Sequence, residues 1–287
     1  MASSGAVGTL IMIVTGLTTY KGLRDYGYFE DYKFNVDKIL PGKEYKRIIT
    51  SGFLHGSWLH YGFNMIALLS FSLSLELVFG YWKFLLLYFG SMIGGSFLAL
   101  FIHKNHGDYS AIGASGAISG VVMSSILLFP DSNIGFIILP FEIKSWVFAL
   151  LFILISVFGI KSQRDNIGHE AHLGGALTGV LISLLLQPSI IFESPWIVFL
   201  TTVPIIVFLI LIVRNPAVLM IDKYWGEALS KRNFKQNRPS VKSDLKVVSK
   251  AEKEETINHL LDKIKKGGVD SLSKREKELL DRLKNEL

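Results

Sequence analysis

Seven apolar stretches, at residues 6–20, 59–79, 84–102, 110–129, 145–160, 171–187 and 195–213, set the terms on which this 287-residue chain can fold. Each approaches the roughly 17–25 residues that a helix needs to cross a bilayer. The stretches at 6–20 and 145–160 are the short ones. The overall balance agrees: half the residues are hydrophobic, mean hydropathy is +0.40 and 19% are charged, against roughly 25% charged in a soluble domain. The expected fold is an all-α polytopic membrane protein. Ala2, Ser3 and Ser4 precede the first apolar run and no basic flank leads it, so that run reads as a retained helix and not as a cleavable signal peptide.

Between the first two stretches lies a long connection, residues 21–58, far beyond the usual length of a loop between packed helices. Its Tyr26, Tyr28, Phe29, Tyr32, Phe34, Ile39 and Leu40 suit a structured segment at the membrane interface. The later connections are short and predict antiparallel neighbours in one bundle. Residues 214–287 carry 18 Lys and Arg against 12 Asp and Glu, which accounts for the whole formal charge of +6. The boundaries that follow are a membrane core at 1–187, a further transmembrane helix at 188–214, a basic linker at 215–250 and a soluble helical hairpin at 251–287. In that hairpin Ile257, Leu260, Leu261 and Ile264 mark one apolar face and Leu279, Leu280, Leu283 and Leu287 another, with Ser273 and Glu276 as a capping box. So small a unit buries little surface alone, so it is expected to bind a partner or self-associate.

The chemistry concentrates at three places. Ser115 stands in Gly113-Ala114-Ser115-Gly116 at the front of an apolar run, where Gly116 and Gly120 form a small-residue ridge that lets another helix come close. His172 precedes Gly175 and Gly179, a second such ridge. Ionisable groups at membrane depth are costly and mark functional sites, and the two ridges make Ser115 and His172 natural partners. Neutral imidazole is the base suited to drawing a proton from serine near neutral pH. His60 and Asn64, four residues apart, stack on one helix face and can both donate toward one point. Together with the backbone at Ser115 and Gly113 they are expected to receive an oxyanion, each such donor contributing about 2.7–4 kcal/mol. Glu170 lies two positions from His172 and faces elsewhere on the helix, so a Ser-His dyad is expected and not a triad. The offsets among His169, Glu170 and His172 do not match a His-Glu-x-x-His metal site. With no cysteine in the chain, thiolate chemistry is excluded.

In order along residues 45–180 these features are Arg47, His55 with His60 and Asn64, Glu76 with Gly80, Gly113-Ala114-Ser115-Gly116, and Ala171-His172 with Gly175 and Gly179. The ordered set resembles the rhomboid family of intramembrane serine proteases. The resemblance implies a six-helix bundle, here followed by a seventh membrane helix and the C-terminal hairpin. It implies Ser115 as nucleophile, His172 as base, and His60 with Asn64 as the oxyanion side chains, while Arg47, His55, Glu76, Gly116, Gly175 and Gly179 are structural near the site. It implies no cofactor and no metal, membrane-protein substrates with single or multiple spans, a lipid bilayer as surroundings and no nucleic acid. The family usually places Trp before the loop arginine, whereas Lys46 stands here.

The same resemblance puts the first loop outside the cytoplasm, in a bacterial cytoplasmic membrane. The charges pull the other way: Lys21, Arg24, Lys33, Lys38, Lys43, Lys46 and Arg47 share that loop, and the positive-inside rule favours such loops on the cytoplasmic side. The expected function is a hydrolase that cuts transmembrane segments. The alternative is a catalytically silent rhomboid-like binder or chaperone of membrane proteins. A transporter or channel would carry charged residues along several spans, and these are mostly absent here.

Overall fold

In the computed structural model, residues 5–135, 142–162, 167–214 and Lys263 are described. The chain divides into two units, Met1–Gly226 and Glu227–Leu287. All that follows concerns the first, and the hairpin expected at 251–287, with its Ser273–Glu276 capping box, lies outside the described residues apart from Lys263.

The first helix, α1 (Ala6–Arg24), runs past the expected end of its span. Its start is held by a distant carboxylate. Glu76 accepts hydrogen bonds from the N–H groups of Val7 (3.1 Å) and Gly8 (2.8 Å) and is 5% exposed. A helix leaves its first N–H groups without internal partners, and Gly5 offers no side chain to meet them. Glu76 therefore acts as a cap supplied from another helix.

The long connection is structured. It holds α2 (Tyr26–Tyr32), β1 (Phe34–Asn35), α3 (Val36–Ile39), α4 (Arg47–Thr50) and a 3-10 turn at Ser51–Phe53. Asp25 and Asn35 cap α2 and α3 by accepting from the N–H groups of Tyr28 and Lys38. Arg47, 3% exposed, ties these pieces together: its guanidinium donates to the carbonyls of Glu30 (2.6 Å) and Lys33 (2.9 Å) and to the Glu44 carboxylate (2.8 Å). Phe34, Val36, Ile39 and Ile48 form a small core of their own with Ala99 and Leu100.

Then come α5 (Trp58–Phe79), α6 (Tyr81–His103), β2 (Ser110–Ala111), α7 (Ser115–Leu128), a hairpin of β3 (Asn133–Gly135) and β4 (Glu142–Lys144), α8 (Ser145–Ser162), α9 (His169–Leu186), α10 (Ile190–Glu193) and α11 (Pro195–Arg214). The protein is mostly helical. Among the described residues, five helices, α1, α5, α6, α9 and α11, are long and apolar enough to cross a membrane. The other two expected spans are shorter apolar helices, Ser115–Leu128 and Ser145–Lys161. At 110–129 the expectation is corrected for a local reason: residues 110–111 are drawn into antiparallel pairing with Phe34 and Asn35, and the helix begins only at Ser115.

The core is built on α6, α7 and α9. Every residue of α7 from Gly116 to Leu127 is buried. The helix of 14 residues rises about 21 Å at 1.5 Å per residue, roughly 9 Å short of a hydrocarbon layer about 30 Å thick. A helix wrapped by others can be short, because its ends meet protein. The ridges expected at Gly116, Gly120, Gly175 and Gly179 face one another: a Cβ on Gly175 would collide with the Gly116 carbonyl oxygen, and one on Gly179 with the Gly120 backbone. The sequence reading missed a second close approach, where a Cβ on Gly174 would lie 2.8 Å from the Gly94 carbonyl oxygen and 2.7 Å from Leu98 Cβ.

Candidate active site

Ser115 is the first residue of α7, and the chain reaches it through a tight corner. Gly113 has φ +113°, a conformation that residues with a Cβ rarely adopt. A Cβ there would also sit 2.9 Å from His60 Nε2. Two bonds hold the corner: Gly113 N–H donates to the Ser51 carbonyl (3.0 Å) and Ala114 N–H donates to His55 Nε2 (3.4 Å). The first intrahelical bond of α7 runs from Ile118 N–H to the Ala114 carbonyl, so the Ser115 N–H has no acceptor within the helix. The positive end of the α7 dipole lies at the same point.

His172 comes from the first turn of α9. Its Nε2 lies 2.7 Å from Ser115 Oγ. The ring is flanked by Phe152, with planes inclined at 29° and centroids 6.2 Å apart, and by the edge of His169 at 5.8 Å. Both hydroxyl and imidazole are half-buried. The three ionisable residues at the start of α9 go to three places. His172 turns to Ser115, Glu170 to His103 Nε2 (2.8 Å), and the His169 ring packs against Gly159. Among the described residues, no group of three or more His, Cys, Asp or Glu side chains is placed to hold a metal ion.

His60 lies in the first turn of α5, whose Ser57 cap accepts from the His60 N–H at 3.1 Å. Its Nε2 reaches the Gly113 corner beside Ser115. Asn64, 8% exposed, donates one amide N–H to the His60 carbonyl (2.9 Å), which leaves its second N–H for another acceptor. One expectation changes here. The Gly113 N–H, expected at the oxyanion, is taken by Ser51, so Gly113 contributes its conformation and its lack of a side chain. Asn64 turns one amide N–H back onto its own helix, so only its second N–H remains to point where His60 points.

His55 has a more definite part than its motif position suggested. It is fully buried, and since its Nε2 accepts from Ala114 N–H, its Nδ1 must carry the proton and donate to Thr19 Oγ1 (3.1 Å). Burial, and secondarily the neighbouring His60, pushes its pKa down to about 3. A neutral imidazole thus links α1 to the corner before Ser115. Behind the serine is a cavity of about 40 Å³ lined by Ser51, Ser96, Ala99, Gly116 and Ala171 among others. That is room for water, which needs about 10–15 Å³ by the same measure.

Sequence reasoning missed the group formed by His103, Tyr109 and Glu170. A histidine in the last turn of an apolar helix and a glutamate in the first turn of another were the available signals, but nothing local says that those two ends meet. The Glu76 carboxylate, expected near a helix end, is buried against the start of α1.

Comparison with known proteins gives a consistent picture. The profile described as "Rhomboid domain" matches residues 42–189, about half of the chain. A second, described as "Family of unknown function (DUF6576)", matches residues 247–286. The chain is similar to rhomboid protein 1, mitochondrial, of Saccharomyces cerevisiae, with 36% identity over 137 residues, covering 47% of this chain and 40% of that protein. It is similar to RHOMBOID-like protein 6, mitochondrial, of Arabidopsis thaliana, with 34% identity over 165 residues, 55% of this chain and 48% of that one. It is also similar to the rhomboid relative YdcA of Bacillus subtilis, with 35% identity over 144 residues, 50% of this chain and 67% of that one. The chain thus spans less than half the length of the yeast and plant relatives.

Proposed function

This chain belongs to the rhomboid family, and on that premise we propose that it is an intramembrane serine endopeptidase that cleaves transmembrane segments of other membrane proteins. The single observation that carries the reading is the 2.7 Å contact between His172 Nε2 and Ser115 Oγ. It is a contact of hydrogen-bond length between an alcohol and an imidazole at the end of a buried helix, with a small, mostly apolar cavity carrying the hydroxyls of Ser51 and Ser96 beside it.

In this reading His172 Nε2 takes the Ser115 proton as Oγ attacks the scissile carbonyl. The oxyanion is met by the Ser115 N–H at the positive end of α7, by His60 Nε2–H and by the second amide N–H of Asn64. His172 then returns the proton to the leaving amine, and a water from the cavity opens the acyl-enzyme with His172 again as base. Glu170 is engaged with His103, so it does not serve as a third member beside His172, and the proposed machinery is the Ser115–His172 dyad. Arg47, His55, Glu76, Gly116, Gly175 and Gly179 act by shaping the site.

A helical peptide bond is shielded by its own hydrogen bonds, so a substrate span must unwind to reach Ser115. Small residues at the cut and Gly or Pro nearby follow from this. The same reading takes α1 and α5–α9 as the six membrane helices of a core at 1–187, α11 as a seventh within 188–214, and 251–287 as a partner-binding or self-associating hairpin beyond a linker at 215–250. It puts the first loop, partly embedded, on the outer side of a bacterial cytoplasmic membrane. Among the similar proteins described above, those of yeast and Arabidopsis are named as mitochondrial, while one is bacterial.

The competing reading, a silent binder of membrane proteins, has no use for the contact between Ser115 and His172. Detergent-solubilised protein incubated with a generic transmembrane substrate decides between them. Ser115→Ala is expected to lower turnover by at least about 10⁴-fold, and a fluorophosphonate is expected to label the wild type alone. Cleavage retained by Ser115→Ala excludes this nucleophile.

A further inference from the structure

On the same side of the bundle as Ser115 lies a polar group that the proposed reaction does not use. α6 ends at His103 and α9 begins at His169, and their ends meet. His103 Nε2 and Glu170 Oε1 are 2.8 Å apart, with both side chains 5% exposed. The other carboxyl oxygen of Glu170 accepts from Tyr109 Oη at 3.4 Å. The Tyr109 ring is stacked on the His103 imidazole, with centroids 3.6 Å apart and planes 7° from parallel.

We propose that Glu170 is a positioning residue for the base: its bonds to His103 and Tyr109 fix the first turn of α9 so that His172, two residues on, stays within hydrogen-bond reach of Ser115. This rests on the reading of Ser115 and His172 given above. Three observations converge on it. First, the start of α9 has no side-chain cap, since Gly168 precedes it. The close approach of Ala171 to Gly95 and Gly116, and the glycine ridge at Gly175 and Gly179 further in, set how near α9 comes to α6 and α7. The bonds of Glu170 add a directional constraint on that same first turn. Second, the pair lies along the fields of both helices, an acidic group in the first turn of α9 and a basic one in the last turn of α6. Third, Tyr109 belongs to the segment that delivers the nucleophile. Its carbonyl accepts from Val36 N–H at 3.2 Å, and the next residues, Ser110 and Ala111, pair with Asn35 and Phe34 before the corner at Gly113. One carboxyl group therefore ties the helix of the base to the strand that leads to the serine. Both reacting groups are referenced to the same point, in addition to the packing beneath them.

A base displaced by about 1 Å loses on the order of 100-fold in rate, and this sets the expected effects. Glu170→Leu keeps a side chain of similar bulk; it is expected to lower kcat by about 100-fold, with KM within about threefold, and to slow fluorophosphonate labelling of Ser115 in parallel. Glu170→Gln still offers an oxygen to His103 Nε2–H, and it is expected to hold kcat within about tenfold of wild type. Glu170→Leu leaves a buried imidazole without its partner and lowers the thermal midpoint. His103→Leu combined with Glu170→Leu removes that orphan and is expected to restore the midpoint while kcat stays low. A double variant that regains kcat along with the midpoint, a Glu170→Leu enzyme with wild-type kcat, or a Glu170→Gln enzyme as slow as Glu170→Leu each overturns the proposal. Wild-type protein that shows no Ser115-dependent labelling or cleavage instead removes the underlying reading of the site.

Discussion

Between α7 and α9 the backbones touch because Gly116, Gly120, Gly175 and Gly179 carry nothing that could keep them apart. Between α1, the first loop and α5, by contrast, the elements are linked by side chains that reach. Glu76 caps α1, Arg47 gathers two carbonyls of the loop, Thr18 Oγ1 donates to the Phe53 carbonyl at 2.6 Å, and His55 bridges Thr19 to Ala114. The nucleophile and base come from the first region. His60 and Asn64 come from the second. Contact by absence is rigid and tolerates no added atom, because interiors are packed to crystal-like density. Contact by directed hydrogen bonds tolerates changes of bulk but depends on each donor and acceptor, and in one case on pH.

The sharpest way to break this contrast is to add atoms to the ridge. Gly175→Val places a side chain where the Gly116 carbonyl oxygen already sits. Overpacking of backbone against backbone is expected to cost about 3 kcal/mol, seen as a large fall in the thermal midpoint in detergent and as loss of fluorophosphonate labelling. If the variant is as stable as wild type, the helices are not in contact there.

The next effect is confined to the second region and appears only in acid. His55 is held neutral, with its pKa at about 3 against an ordinary 6.5. As pH falls through this window the unfolded chain takes up a proton and the folded one does not. Stability present above pH 6.5 is therefore lost progressively toward pH 3, at a slope approaching about 1.4 kcal/mol per pH unit. Thermal midpoints measured between pH 6 and pH 4 are expected to fall more steeply for wild type than for His55→Gln. Parallel profiles would mean that His55 is not buried neutral.

The smallest of the three effects is local. Arg47→Lys keeps the charge but loses the planar fork that meets the Glu30 and Lys33 carbonyls. The expected cost is about 1.5 kcal/mol, felt mainly as opening of the first loop. Faster limited proteolysis within residues 25–46, with little change in the midpoint of the whole bundle, is the signature. A uniform loss of stability would place Arg47 in the core network instead.

Much of this arrangement could be read before any coordinates, and the parts that could not share a cause. Run length located the helices, yet α1 extends to Arg24 and α7 starts five residues later than its apolar run. The pairing of Ser110 and Ala111 with the first loop is a long-range event with no local mark. Small-residue spacing correctly paired the helices of Ser115 and His172, because a glycine ridge is a statement about the partner's distance as well as its own helix. Helix geometry set Glu170 apart from the dyad, since it lies two positions from His172, and the same geometry, continued to the neighbouring helix, brings it to His103. Gly113 was expected to lend its N–H and instead lends its φ, a distinction that depended on where the Ser51 carbonyl falls.

The chain by itself determined that it is a bundle of apolar helices, which two of them must approach within backbone contact, and that a hydroxyl and an imidazole ride at their ends. Those are properties of periodicity and of side-chain size, carried within single segments. Only the tertiary structure decided which helix end answers which: that Glu76 serves the start of α1, 68 residues earlier, that His55 serves the corner at Ala114, and that α6 and α9 close around a shared carboxyl group. A buried polar group must find its partner wherever packing brings one within reach, and separation along the chain records nothing of that reach.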